Sequence, residues 1–178
     1  MLERFKKDSV PMLPGHKSLA DWELLSIAQH WGMPTRLLDW TANPLAGLWF
    51  AVSQDPRKGE KHGVVWVSEA PNERTLACDE DVFSLKRTCF FQPPHIDRRI
   101  VAQSAWFSVY RHNREKFLPL EEQRRYRDKV KHLLIPRACI ESLRQELRVL
   151  GYSHASMYPD LGGLSNDIQA EYIDSWKP

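Results

Sequence analysis

The chain has 178 residues, 42% of them hydrophobic and 27% charged, with a formal net charge of +2. These proportions describe a soluble chain long enough to bury the core of one compact domain. No apolar run approaches the ~20 residues of a membrane span, and the N-terminal MLERFKKDSV lacks the apolar stretch of a secretory signal. Three cysteines, Cys78, Cys89 and Cys139, show no C-x-x-C spacing, which predicts buried, reduced thiols in a cytoplasmic protein.

In chain order, Ser18 reads as a helix N-cap with Asp21 in the first turn. Leu19, Trp22, Leu25 and Gln29 recur at helical spacing before Gly32, which predicts a helix over 19–31 with Gln29 and His30 on its last turn. Pro34 takes the chain out of that helix, and Arg36 to Trp40 is short enough for a strand. Asn43-Pro44 reads as N-cap and first position of a helix over 44–53. A polar turn from Asp55 to Gly63 leads into a buried strand over 63–67. Residues 69–98 read as irregular, broken by Pro71 and Pro93-Pro94. Short strands are expected at 99–102, 106–110 and 132–135, the last stopped by Pro136. Ile140, Leu143, Leu147 and Leu150 predict a helix closed by Gly151, and a last helix is expected over 164–176 after Gly162-Gly163. The fold expected is α+β: a single compact domain over residues 1–178, with a short mixed or antiparallel sheet flanked by helices.

The segment Gln29–Thr41, QHWGMPTRLLDWT, sets Arg36, Asp39 and Thr41 among Leu37, Leu38 and Trp40. Burying an arginine and an aspartate costs several kcal/mol per ion unless they are paired. The pattern therefore predicts a paired polar site at a strand end, either an Arg–Asp bridge fixing a turn or a functional pair. The adjoining helix start favours an anion such as phosphate. Several chemistries are excluded: there is no phosphate-binding G-x-x-x-x-G-K-[ST], no strand-borne G-x-G-x-x-G, and no G-x-S-x-G elbow. The seven histidines form neither H-E-x-x-H nor a Cys/His cluster, so no metal is expected.

The same segment resembles the FRG domain, whose members carry A-Q-H-x-G-x-P-T-R-L-L-D-W-T-x-x-P-L-x-A-L-x-F-A. It is matched here by Ala28, Gln29, His30, Gly32, Pro34 through Thr41, Pro44, Leu45, Leu48, Phe50 and Ala51, with Gly47 where the family usually has Ala. Arg99-Ile100, Gln103 and Phe107 resemble the family's R-I-x-x-Q-x-G-x-F, with Ala105 in place of Gly. Leu134-Ile135-Pro136 through Pro159-Asp160-Leu161 resembles its C-terminal part, so the likeness covers roughly 1–170. The (F/Y)-R-G that names the family is missing, because none of the eight glycines follows an arginine. Segment 1–17 resembles the region just after that strand, which implies an N-terminally shortened member or a partner chain supplying the strand.

The resemblance implies an effector- or toxin-type module of bacterial or phage conflict systems, acting on a protein target or a nucleotide ligand such as NAD. It draws together Arg36, Asp39 and Gln103 as candidates for chemistry. Gln29, His30, Thr35, Trp40, Thr41, Phe107 and Asp160 are the matching candidates for holding the ligand. A weaker resemblance is to mono-ADP-ribosyltransferases, with Asp39-Trp40-Thr41 as the hydroxyl turn and Gln103 in the region of the acid. A neutral amide lacks the charge a carboxylate offers a developing cation. The alternative is a non-catalytic nucleic-acid- or protein-binding module. Residues 98–131 hold ten basic residues against four acidic ones, an excess of six that leaves the remainder of the chain at −4. Arg124, Arg125, Arg127 and Lys129 are the candidates there for phosphate contact.

Overall fold

A computed structural model describes residues 1–13, 19–54, 62–69, 81–95, 97–110 and 118–176, with side chains up to 172. The expected Ser18 cap, the polar turn after Asp55, Cys78, and Arg111, Arg114 and Lys116 lie outside the described residues. The class is α+β as expected, with seven helices and two short sheets among the described residues. The residues group into two compact units.

The first unit comprises Met1–Trp40, Pro71–Ile96 and Trp106–Phe117. Helices α1 (Leu2–Asp8) and α2 (Asp21–His30) are joined by Lys6 Nζ, 2.7 Å from Asp21 Oδ1. Three strands, β1 (Leu37–Thr41), β3 (Cys89–Phe91) and β4 (Ala105–Val109), form a sheet in the order β1–β4–β3, with β3 and β4 antiparallel. Trp22 and Leu25 of α2 pack with Leu37, Phe91, Phe107 and Val109, so one sheet face and one helix stripe close the core. The Trp22 and Phe91 rings meet edge to face, 5.2 Å apart. Strand β3 lies within the stretch expected to be irregular, since three residues are too few to show a period.

The second unit comprises Thr41–Ala70, Asp97–Ala105 and Leu118–Pro178. It contains α3 (Pro44–Val52), the antiparallel pair β2 (His62–Ser68) and β5 (Val130–Pro136), α4 (Arg98–Ala102), α5 (Ile140–Val149), α6 (His154–Met157) and α7 (Leu161–Trp176). Its core joins Ala46, Trp49 and Val52 of α3 to Ile135, Ile140, Leu147 and Met157. Arg144 of α5 donates to Val52 O, satisfying a last-turn carbonyl of α3.

Two expectations are corrected. Residues 99–102 form helix α4 instead of a strand, because the Asp97 carboxylate accepts Arg99 N–H at 2.8 Å and caps a helical turn. Helix α7 begins at Leu161 because Asp160 caps it, which places both Gly162 and Gly163 inside. The expected thiol burial also fails for Cys139, which is exposed; Cys89 is half-buried.

Two glycines of the second unit have opposite meanings. A Cβ at Gly163 would lie 1.8 Å from Tyr158 O, so α7 passes the end of α6 at a distance only glycine allows. A Cβ at Gly47 would meet Thr41 Cγ2 at 3.4 Å, an ordinary contact within helix α3. By urea denaturation, Gly163→Ala is expected to lose about 3 kcal/mol. Gly47→Ala is expected to gain about 0.5–1 kcal/mol from helix propensity.

Candidate functional site

The motif begins on the last turn of α2 and crosses a bend into β1. In an extended strand successive side chains alternate between faces, so Leu37 and Asp39 share one face and Trp40 takes the other. Leu37 enters the core beneath α2. Asp39 thereby comes beside the end of the same helix, where Gln29 Nε2 donates to Asp39 Oδ2 at 2.9 Å. Thr35 Oγ1 donates to Gln29 Oε1 and accepts the Leu37 N–H at 3.0 Å, fixing which way the Gln29 amide points. The result is a chain of side chains, Thr35 to Gln29 to Asp39, that orients one carboxylate. Asp39 as a residue is exposed, yet the protein packed around its carboxyl pushes its pKa above the usual range; the Gln29 hydrogen bond and a backbone hydrogen bond act against this.

Arg36 does not pair with Asp39, contrary to expectation. It precedes β1 by one residue and lies three residues from Asp39, an odd separation that sends the two side chains to opposite faces of an extended chain. Its Nη2 donates instead to Val82 O at 2.6 Å, and its guanidinium lies 6.0 Å from the centroid of the Phe83 ring. Burial lowers its pKa, with Asp81 opposing the shift; an arginine nevertheless stays charged.

Trp40 is a sheet residue. Its Nε1 donates to the fully buried Ser108 Oγ at 2.9 Å, and its ring centroid lies 5.6 Å from that of Phe90. Phe107 is buried in the core of the first unit. His30, half-buried, meets the exposed Trp31 edge to face at 5.2 Å.

The other candidates belong to the second unit, where the three resembling segments meet in a set of ties. Thr41 Oγ1 donates to Gln103 O at 2.7 Å and accepts Asn43 N–H at 3.0 Å. Gln103 Nε2 donates to Met157 O at 3.0 Å. Arg99 donates to Asp160 Oδ2 from Nε at 2.9 Å and from Nη2 at 2.5 Å, and its guanidinium lies 5.0 Å from the Tyr158 ring centroid. Asp160 Oδ1 accepts Gly163 N–H at 2.9 Å, making Asp160 the cap of α7. These contacts, the Gly163 amide first and then Arg99, hold the Asp160 carboxyl below the usual carboxylate range. Next to Thr41, Asn43 Oδ1 accepts the amides of Leu45 (3.0 Å) and Ala46 (3.4 Å), while its Nδ2 donates to the Tyr152 hydroxyl at 2.8 Å. The protein's own amide oxygen thus fills the start of α3 expected to suit an anion.

Ser108, Tyr152 and Tyr158 complete these networks and carry no local sequence signal; each is 68 or more positions from the residue it serves, or joins through a ring contact. Asn43 was legible as a cap, but not as the group that occupies the anion position. Among the described residues no three His, Cys, Asp or Glu side chains cluster as a metal site. No helix among them is long and apolar enough to cross a membrane.

The sequence model of the FRG domain matches residues 1–60, a span that includes all of QHWGMPTRLLDWT. No curated protein and no solved structure matches the chain.

The two carboxylates have opposite linkage to folding. Asp39 has a raised folded-state pKa, so its ionisation opposes folding; the cost is absent below the unfolded value near 3.8 and is complete once pH has passed the folded value. Asp39→Asn, which keeps an acceptor for Gln29, is expected to be at least as stable as the parent at pH 7, and the difference to vanish in acid. Asp160 has a lowered pKa, so its contribution is complete above the unfolded value near 3.8 and is lost as pH falls through the folded one. Asp160→Asn is expected to be destabilised at pH 7, with the gap closing in acid. Thermal unfolding across pH checks both signs.

Proposed function

We propose that the Thr35–Gln29–Asp39 corner of the first unit binds the ribose of a nucleotide, with NAD the ligand to test first. The observation that carries this reading is the state of Asp39. It is an exposed carboxylate, oriented by a directed amide and pushed above its ordinary pKa, and among the described residues it forms no ion pair. A group of this kind opposes folding at neutral pH, so its value to the protein lies in what it can accept from outside. Ribose hydroxyls are suited to it, since a carboxylate takes them in nucleotide sites of other folds.

The division of labour within the motif follows. Gln29 and Thr35 orient Asp39, and His30 stands on the same helical turn. Arg36, turned away onto Val82 and Phe83, supports the segment that carries those residues. Of the three candidates for chemistry, Arg36, Asp39 and Gln103, only Asp39 supplies negative charge. Gln103 is neutral and its amide is committed to Met157 O. If the nicotinamide bond of NAD is broken by hydrolysis or ADP-ribosyl transfer, Asp39 is the residue to face the developing oxocarbenium-like cation. A role as a toxin-type effector in phage defence rests on the FRG resemblance. It is tested by growth arrest on expression that Asp39→Ala relieves.

Isothermal titration of NAD and ADP-ribose, with chromatography for released nicotinamide, tests the binding reading. The unaltered chain is expected to bind, and Asp39→Ala to weaken binding about tenfold to a hundredfold, the worth of a hydrogen bond to a charged group. Gln29→Ala is expected to have a smaller effect. A chain that neither binds nor consumes NAD or ADP-ribose, or an Asp39→Ala variant that binds as well as the parent, contradicts the proposal.

A further inference from the structure

The β2–β5 ribbon of the second unit presents a face that folding does not account for. Its register sets Val64 opposite Leu134 and Trp66 opposite His132. Gly63 and Ile135 form another cross-strand pair one residue along, and by alternation they point to the other face. That face is covered at its Gly63 end, where Ile135 and Val65 belong to the core with α3 and a Cβ at Gly63 would lie 2.6 Å from Ala51 O; farther along it Val67 and Leu133 are 46% and 60% exposed. On the opposite face Val64, Trp66 and Leu134 are 38%, 46% and 54% exposed. The Trp66 and His132 rings lie side by side, 5.2 Å between centroids.

The approach to β5 carries charge of one sign. Arg124, Arg125, Arg127, Lys129 and Lys131 are all exposed, and Asp128 is the only acid between Gln123 and Arg137. The run is a built structure. Tyr126 is 4% exposed and anchors it, with Arg125 stacked over its ring at 6.0 Å. Successive backbone bonds, Arg127 N to Gln123 O, Lys129 N to Tyr126 O and Val130 N to Tyr126 O, fold it into consecutive turns. Arg127 lies 3.8 Å from Asp128, a pair exposed enough for a phosphate to displace. Lys129 and Lys131 stand at odd separations from His132 and so point to the other face of the ribbon, which leaves Arg124, Arg125 and Arg127, in the turn that leads into β5, as the charges near the Trp66–His132 end.

We propose that this ribbon face and the Arg124–Arg127 turn form a binding platform for single-stranded nucleic acid. Trp66 and His132 offer the rings on which bases stack, Val64 and Leu134 extend the apolar floor, and Arg124, Arg125 and Arg127 take phosphates. Aromatic rings on an open sheet beside cationic turns match a polymer that has exposed base faces and a negative charge per unit. A duplex hides the base faces, and an acidic protein surface has none to stack.

Fluorescence anisotropy of a labelled oligo-uridine of about 12 nucleotides, between about 50 and 200 mM salt, tests this. The expected result is binding that weakens with salt, with a log–log slope near −2 for about three phosphate contacts on a single strand. A duplex of the same length is expected to bind more weakly. Trp66→Ala is expected to weaken binding about tenfold with its slope unchanged. Joint replacement of Arg124, Arg125 and Arg127 by Ala is expected to flatten the slope by about two. All these side chains are exposed, and unchanged melting temperatures confirm that the variants fold. The proposal is overturned if the oligonucleotide does not bind at the lowest salt, or if Trp66→Ala binds as tightly as the parent. Self-association that light scattering detects and Trp66→Ala abolishes also overturns it, by assigning the face to a second copy of the chain.

Discussion

The pleat of β1 decides how the polar residues of the motif are used. With Leu37 drawn into the core beneath α2, Asp39 shares its face and comes to the end of that helix, within reach of Gln29. Trp40 is sent to the other face, to Ser108 and Phe90. Arg36, out of phase with Asp39, finds Val82 instead. The apolar residue sets the register, because slipping it by one would expose Leu37 and turn Arg36, Leu38 and Trp40 to the core face. An aspartate is thereby fixed in orientation with no cation paired to it among the described residues.

The second unit uses the same residue types in the opposite sense. Asp160 spends one oxygen on the first turn of α7 and the other on Arg99, and its pKa falls. Gln103 and Thr41 tie backbone carbonyls, and Asn43 closes the start of α3. These groups hold a chain whose helices α4 and α6 are too short to be stable alone. A polar residue shared with a family motif is therefore no guide by itself to contact with a ligand. Its hydrogen-bond partners show what it holds within the fold.

Much of the fold could be read from the chain because its signals were local. Asn43-Pro44 announces α3, the spacing of Ile140, Leu143 and Leu147 announces α5, and the β-branched run after Gly63 announces β2 as a strand, although, against expectation, none of its residues is buried. The errors came where a single capping contact outweighed the apolar pattern. Asp97 turned 99–102 into helix, and Asp160 moved the start of α7 back to Leu161. The polar corner was only half legible. The residue types and the match of the first 60 residues to the FRG domain pointed to the segment, but the pairing of Arg36 with Asp39 was inferred without the alternation that forbids it. The partners that decide each role, Gln29 for Asp39 and Gly163 and Arg99 for Asp160, are set by packing between elements, which spacing does not record.

The central claim is that one carboxylate is held at a cost to the fold while the other is consumed by it. Carbon-detected NMR titration of the Asp39 and Asp160 side-chain carboxyls tests this most directly. The account predicts that Asp39 titrates above the ordinary aspartate value and Asp160 below it, and that an NAD-type ligand moves only the Asp39 curve. Asp39 titrating at or below Asp160, or a ligand that perturbs Asp160 and leaves Asp39 unchanged, would contradict it.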